Sequence, residues 1–327
     1  MIPEKVISDL HKQYPILKPI SIPSENPTEM IWEVDPTSLH TDSSIAVAAI
    51  DISEEHYHIK SKETYRVKKG ALQLWVNGMP EVLNEGETYT IQPPALHYAE
   101  GIDGEVAVVE VESHPGWTPE DHILLKEKME EINEEVDPLN LKGRPFGITH
   151  ADFLTKKGEE VCDKEHLNKM ILLPATKGHD SGYAGMKVDD YRTAEVKIEH
   201  MRRGVEYMRK ILEKVEFPEI YREPILYLIG HHDDWALGNY DVYKGNIYLA
   251  VLADLDFLYL ASKEGFEQVR GDMNRNLEES REKPLSPKDM IAFLKGNKKH
   301  VMQPWATETT RKMFEELIRE RERELIK

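Results

Sequence analysis

EEHYHIKSKETYRVKKG, Glu54 to Gly70, decides how the first part of this chain is read. His56 and His58 stand one residue apart. A strand sends alternate side chains to one face, so the two imidazoles project together. Glu63 follows across a four-residue gap, where a next antiparallel strand would begin. Strand-like runs surround the stretch: IAVAAIDI before it, then TYRVKKG, ALQLWVNG, GETYTIQPP and EVAVVEVES. Asn77-Gly78 is a strong hairpin signal, because both residues tolerate positive φ. So many short strands between Ser44 and Ser113 predict a small antiparallel barrel or sandwich. His97 comes later, just after Pro93-Pro94. Three imidazoles and one carboxylate converging in a barrel suit a divalent transition metal such as Mn, Fe, Ni or Zn.

These residues resemble the cupin superfamily. The first cupin motif reads here as His56-Tyr57-His58, Glu63 and Gly70, and the second as Gly86, Pro93 and His97. The resemblance covers roughly residues 45–113. It departs from the pattern twice: no glycine precedes the His pair, where Ile50 and Asp51 stand, and Ala95 replaces a usual glycine. The resemblance implies a jelly-roll-like β-barrel with a metal on His56, His58, Glu63 and His97. It also implies a homodimer formed through barrels. Cupins isomerise sugars, act as dioxygenases or only bind a ligand, and the fold does not choose among these. Tyr57, Tyr65 and Trp75 near the barrel are placed either to stack on a sugar or to pack a core.

Outside the barrel the texture changes. Residues 1–45 read as a helix followed by a Pro-rich approach containing Pro15, Pro19, Pro23, Pro27 and Pro36. At WTPEDHILLKEKMEEINEEV the period becomes helical, with Thr118 as a cap and Pro119 at the first position. Residues 136–149 read as a loop-rich linker. From His150 onward helices dominate; in HMRRGVEYMRKILEKV, Val205, Met208, Leu212 and Val215 fall at helical spacing. The expected organisation is a β-barrel domain with an N-terminal extension (1–115), a connecting helix and linker (116–145), and an all-α domain (146–327).

Four stretches of the α half carry metal-type ligands: KGHDSGY, IEHMRRG, LIGHHDDW and VLADLDFLY. A carboxylate inside the apolar run NIYLAVLADLDFLYLAS is costly to bury unless it is paired or binds a metal. Imidazole and aspartate together suit a divalent metal that activates water. The order of these groups resembles the HD-domain metal-dependent phosphohydrolases, over about residues 150–265. On that resemblance His179-Asp180 is the name-giving pair, and His200 opens the following helix. His232, or its neighbour His231, ends the next one, and Asp254 closes the set. The opening ligand is His150, or else His166, which lies nearer the pair. A second alignment starts at His200 and takes His232-Asp233 as the pair. The resemblance implies Mn, Fe, Co, Ni or Mg at this site, with catalytic roles for Asp180 and His200. Asp180 would bridge metals or orient the water, and Lys177, Arg202 or Arg203 would neutralise phosphate.

The composition narrows the partners. Forty-two basic against 60 acidic side chains give a net charge of −18, which repels nucleic-acid backbones. No apolar run approaches the roughly 20 residues of a membrane helix. The N-terminus, MIPEKVISDLHKQYP, lacks a signal-peptide pattern. Cys162 is the single cysteine, so no intrachain disulfide forms, which fits a reducing cytoplasm. Its acidic neighbours raise a thiol pKa and make it a poor nucleophile. The expectation is a cytoplasmic two-domain metalloprotein that hydrolyses a small phosphorylated metabolite. Two other readings stay open: a barrel-centred sugar or sugar-phosphate isomerase with the α half as scaffold, and a non-catalytic metabolite sensor.

Overall fold

The computed structural model describes residues 1–144, 146–187, 193–279, 283–301 and 307–326. It divides into two compact units, Met1–Lys128 and Met129–Lys327. The first is a β unit and the second is helical.

Eleven strands build the first unit: β1 (Ile20–Ile22), β2 (Glu29–Asp35), β3 (Ser44–Ile50), β4 (His56–His58), β5 (Lys62–Lys69), β6 (Ala71–Val76), β7 (Met79–Asn84), β8 (Thr88–Ile91), β9 (His97–Gly101), β10 (Ala107–His114) and β11 (His122–Leu124). They form two antiparallel sheets, ordered β1-β2-β3-β10-β5-β8 and β11-β4-β9-β6-β7. Val67, Ile91 and Val109 from one sheet pack with Leu72, Leu74 and Ala99 from the other. Asn77 and Gly78 form the expected two-residue hairpin, with φ of 52° and 86°, between paired Val76 and Met79.

Three sequence expectations change here. The Pro-rich approach contains paired strands, β1 and β2. In β2, Met30 and Trp32 face outward and pack with Leu10 of α1 (Glu4–Gln13), while Glu29, Ile31 and Glu33 face the interior cavity. Pro27 and Pro36 lie just outside β2, where no ladder N–H is needed. Thr118 does not start a helix. Its carbonyl accepts from the Asp121 amide in a turn, and His122 then pairs with His58. Without β11, β4 would be an open edge with unmatched backbone groups. Nor is there a loop over 136–149: α2 runs Leu125–Gly143 despite Pro138, and α3 begins at Gly147.

The helical unit continues with α3 (Gly147–Glu165), α4 (Lys169–Gly178), α5 (Ala194–Lys214), α6 (Glu219–His231), α7 (Ile247–Ala261), α8 (Lys263–Glu279), α9 (Pro287–Val301) and α10 (Glu308–Glu324). α7 is apolar nearly all round and is the central helix, packed by α3, α4, α6 and α10. Gly158 sits inside α3 against the helix propensity scale. A Cβ there would lie 3.3 Å from Thr176 and 3.5 Å from Leu255, so the glycine permits close helix packing. Among the described residues, no helix is long and apolar enough to cross a membrane.

Candidate metal centres

In the β unit the ligand atoms of His56, His58, Glu63 and His97 all lie within 4.8 Å of one another, and all four residues are buried. Strand pairing sets this: His56 stands opposite His97 across β4 and β9. Glu63 points one oxygen at His58 Nε2 and the other at His97 Nε2, each at 3.2 Å. Ser113 donates to the same carboxylate. The Nδ1 atoms of His56 and His97 donate to the carbonyls of Glu54 and Ala95, which turns their Nε2 atoms to the cluster. Burial and the neighbouring imidazoles hold His56 well below its usual pKa. Burial would raise Glu63, but the charge of His58 outweighs it and holds the carboxylate well below its usual range.

Two groups of this site escape a reading of the sequence. His122 on β11 places its ring 4.2 Å from that of His56. Asp121, held by the amides of Lys60 and Ser61, lies 3.6 Å from His58 Nδ1 and places a negative charge beside that ring. The helical pattern of residues 118–124 hides both. Trp75 stacks on Tyr98 and donates to Glu100, and Tyr57 is buried; of the three aromatics, Tyr65 lines the interior cavity. Glu29 also lines that cavity, and burial with the charges of Glu63 and Glu54 pushes its carboxyl up to about 7.

In the helical unit three overlapping groups lie within ligating distance: His150, His179 and Asp256; His179, Asp180 and His232; and His200, His232 and Asp233. Asp180 joins them. Its Oδ2 lies 3.5 Å from both His150 and His179, and its Oδ1 lies 3.8 Å from both His200 and His232. Helix ends supply the imidazoles. His179 and His232 follow α4 and α6 directly, and their Nδ1 atoms donate to the unpaired carbonyls of Thr176 and Ile229 at 2.8 Å. His200 lies in the second turn of α5, not at its opening, and its Nδ1 contacts the Val196 carbonyl.

The SGY turn locks this arrangement. A Cβ on Gly182 would sit 1.8 Å from the His200 carbonyl oxygen, so only glycine allows the turn to press on α5. Tyr183 then stacks on His200 with centroids 4.1 Å apart. Burial lowers His179 to about 4 and His200 to about 3, so both are neutral, ligand-ready imidazoles near neutral pH. Burial would raise Asp180, but Arg144 and His179 hold it well below the usual carboxylate range.

Asp254 is a correction. It points away from this cluster and accepts a 2.6 Å hydrogen bond from Thr310 on α10, while Asp256 reaches His150 at 3.1 Å. Two residues along a helix are about 200° apart, so only one of the pair can face the site. His150 is in the cluster, whereas His166 is exposed beyond the end of α3. His232 is in it, whereas His231 turns to Asp234. Lys177 is consumed by Asp137 and Asp152, Arg202 by Glu199 and Glu206, and Arg203 by the Ala184 carbonyl and Tyr207. Among the described residues, the cations beside the cluster are Arg144, 3.0 Å from Asp180, and Lys197, paired with Asp233. Lys197 precedes His200 by three residues, one helical turn, which is the signal that could have found it.

The donor sets fit divalent metals. His200 and His232 turn their Nε2 atoms toward each other at 3.2 Å, and His150 and His179 approach at 3.0 Å through the same atoms. Four imidazole nitrogens converging on carboxylates in a buried interior are a donor set that a divalent cation would satisfy.

No protein-family model matches the chain, and no curated protein matches it. Solved structures do match its N-terminal part. Pac13, a nucleoside dehydratase of Streptomyces, is 16% identical, covers 30% of this chain and 78% of its own, and has a TM-score of 0.25. A cupin-superfamily sugar phosphate isomerase from Silicibacter pomeroyi is 17% identical, with 28% and 61% covered and a TM-score of 0.25. Lactobacillus farciminis oxalate decarboxylase is 21% identical, with 38% and 39% covered and a TM-score of 0.31. These neighbours are cupin-superfamily proteins. At such identities and scores they say nothing about chemistry, and the functional reading rests on the geometry of the residues.

Proposed function

We propose that this chain is a two-domain metalloprotein whose helical unit hydrolyses phosphoesters of small metabolites, on an HD-like two-metal site. The observation that carries this reading is Asp180, whose two oxygens face two different histidine pairs. His150, His179 and Asp256 would hold one metal and His200, His232 and Asp233 the other, with Asp180 shared. Metals bound there lower the pKa of water and offset the charge that develops on a phosphoryl group. The chain's own residues supply the rest. Asp180 fixes the spacing between the two halves, and Tyr183 holds the His200 ring in plane. Arg144, over the Tyr183 ring at 4.0 Å and paired with Asp180, and Lys197, paired with Asp233, are cations beside the cluster that would offset the charge of an anionic substrate. In the β unit, His56, His58, Glu63 and His97 would hold a separate divalent transition metal. The acidic chain fits a small-molecule substrate rather than a nucleic acid; we read it as a cytoplasmic homodimer.

The test is phosphate release from a panel of nucleotides and sugar phosphates by full-length protein loaded with Mn or Co. Release that disappears in His179→Ala and Asp180→Ala supports the proposal. No release from any member, or release unchanged in both variants, overturns it.

A further inference from the structure

The two halves of the helical cluster use the same ligand types and differ in what stands behind them. Each has two imidazoles and a carboxylate of its own: His150, His179 and Asp256 in the first, His200, His232 and Asp233 in the second. The Asp256 side chain is 25% exposed and meets His150. The Asp233 side chain is 2% exposed and is paired through Oδ2 with the ammonium of Lys197, one turn ahead of His200 on α5. That same oxygen is the one both imidazoles face, at 3.4 Å from His200 Nε2 and 3.8 Å from His232 Nε2.

Charge separates the halves further. Arg144 offsets Asp180, the carboxylate that both share, and Lys197 offsets Asp233. One carboxylate charge of the cluster is left over, and it belongs to Asp256. An ion on the first half therefore meets a carboxylate whose charge is not offset. An ion on the second meets an ammonium already seated on its ligand oxygen, and like charges at that range repel. Lys197 is also close enough to Arg144 for the two cations to repel each other. An anion beside them relieves both repulsions. A lysine answers readily, since its ammonium is a compact charge on a flexible four-carbon stem.

We propose that Lys197 couples metal loading to substrate binding, holding the His200–His232–Asp233 half at low affinity for its ion until an anionic phosphoryl group draws the ammonium off Asp233. This rests on the two-metal phosphoester reading and adds its regulation: the two ions bind unequally, and the second binds together with the anion. The coupling is reciprocal, so the second ion tightens the anion by the factor with which the anion tightens the ion. Lys197 acts through Asp233 and is in that respect a positioning residue.

The experiment is Mn titration of the full-length chain, with free Mn read from its electron paramagnetic resonance signal. His58→Ala is used as the background, so that the ions counted are those of the helical unit. Methylphosphonate, which carries a phosphoryl anion and no ester to cleave, is the anion probe. In that background one ion is expected to bind tightly and a second about tenfold or more weakly, and methylphosphonate is expected to tighten the second about tenfold. Adding Lys197→Met is expected to tighten the second ion to a similar degree without the anion and to abolish the anion's effect. Lys197→Arg, which keeps the cation, is expected to retain unequal, anion-sensitive binding. Lys197→Gln gives a second reading should Lys197→Met fail to fold. Two ions of equal affinity before any lysine change overturn the proposal and leave the two-metal reading standing. So does a methylphosphonate effect that persists undiminished in Lys197→Met and Lys197→Gln. A helical unit that takes one ion in every variant, at any Mn concentration, overturns the two-metal reading and this proposal with it.

Discussion

The barrel cluster and the helical cluster use the same device and end in opposite surroundings. In both, histidine Nδ1 atoms donate to backbone carbonyls and so turn Nε2 atoms to a common point. The carbonyls belong to the residue two before in the barrel and three before at the helix ends. The charge around them differs. The helical carboxylates Asp180 and Asp233 are matched by Arg144 and Lys197. The barrel's Glu29 and Glu33 have no lysine or arginine facing the cavity among the described residues. A site with balancing cations and one without them offer a ligand different surroundings. The donor set says where a metal sits, while the charge behind it separates the chemistries.

The largest effect that would break this comparison is at Asp180. Asp180→Ala is expected to lower phosphate release at least a thousandfold and to empty the helical unit of metal, leaving the barrel ion in place, as read by metal analysis. Next comes the pair on α7. Asp256→Ala is expected to lower activity about a hundredfold, whereas Asp254→Asn keeps activity within twofold.

Asp254 carries a stability signature instead. Burial raises it from the usual 3.8 to about 7. Between those values the folded chain holds a proton that the unfolded chain has lost, so stability falls as pH rises from about 4 to about 7. Asp254→Asn is therefore expected to be more stable than wild type at pH 7.5, by about 4 kcal/mol from a shift of that size. The advantage should vanish near pH 4; denaturant melts at both pH values check it. The smallest effect sharpens the cation side. Lys197→Met is expected to raise KM for a phosphoester about three- to tenfold, with the barrel's metal content unchanged.

Much of this architecture is legible in the sequence. Strand parity at His56 and His58 and the hairpin at Asn77-Gly78 follow from local periodicity and turn chemistry, whereas the grouping of the α-half histidines is an expectation from a family resemblance. What stays hidden depends on tertiary pairing. β2 is concealed between prolines because alternation of Glu29, Ile31 and Glu33 with Met30 and Trp32 reads as a strand only when both faces are covered. His122 is concealed because residues 118–124 resemble a capped helix start until β4 needs a partner. Asp254 and Asp256 are equivalent in sequence, and only the rotation of α7 against α3 and α10 separates them. Arg144 lies in a stretch that reads as linker, and nothing local marks it as facing Asp180.

The most direct measurement is metal stoichiometry by mass spectrometry on wild type, Asp180→Ala and His58→Ala, each purified with Mn. Three ions per chain in wild type, one in Asp180→Ala and two in His58→Ala are expected. A wild type holding a single ion, or an Asp180→Ala protein holding as many as wild type, would contradict a two-metal helical site beside a separate barrel site.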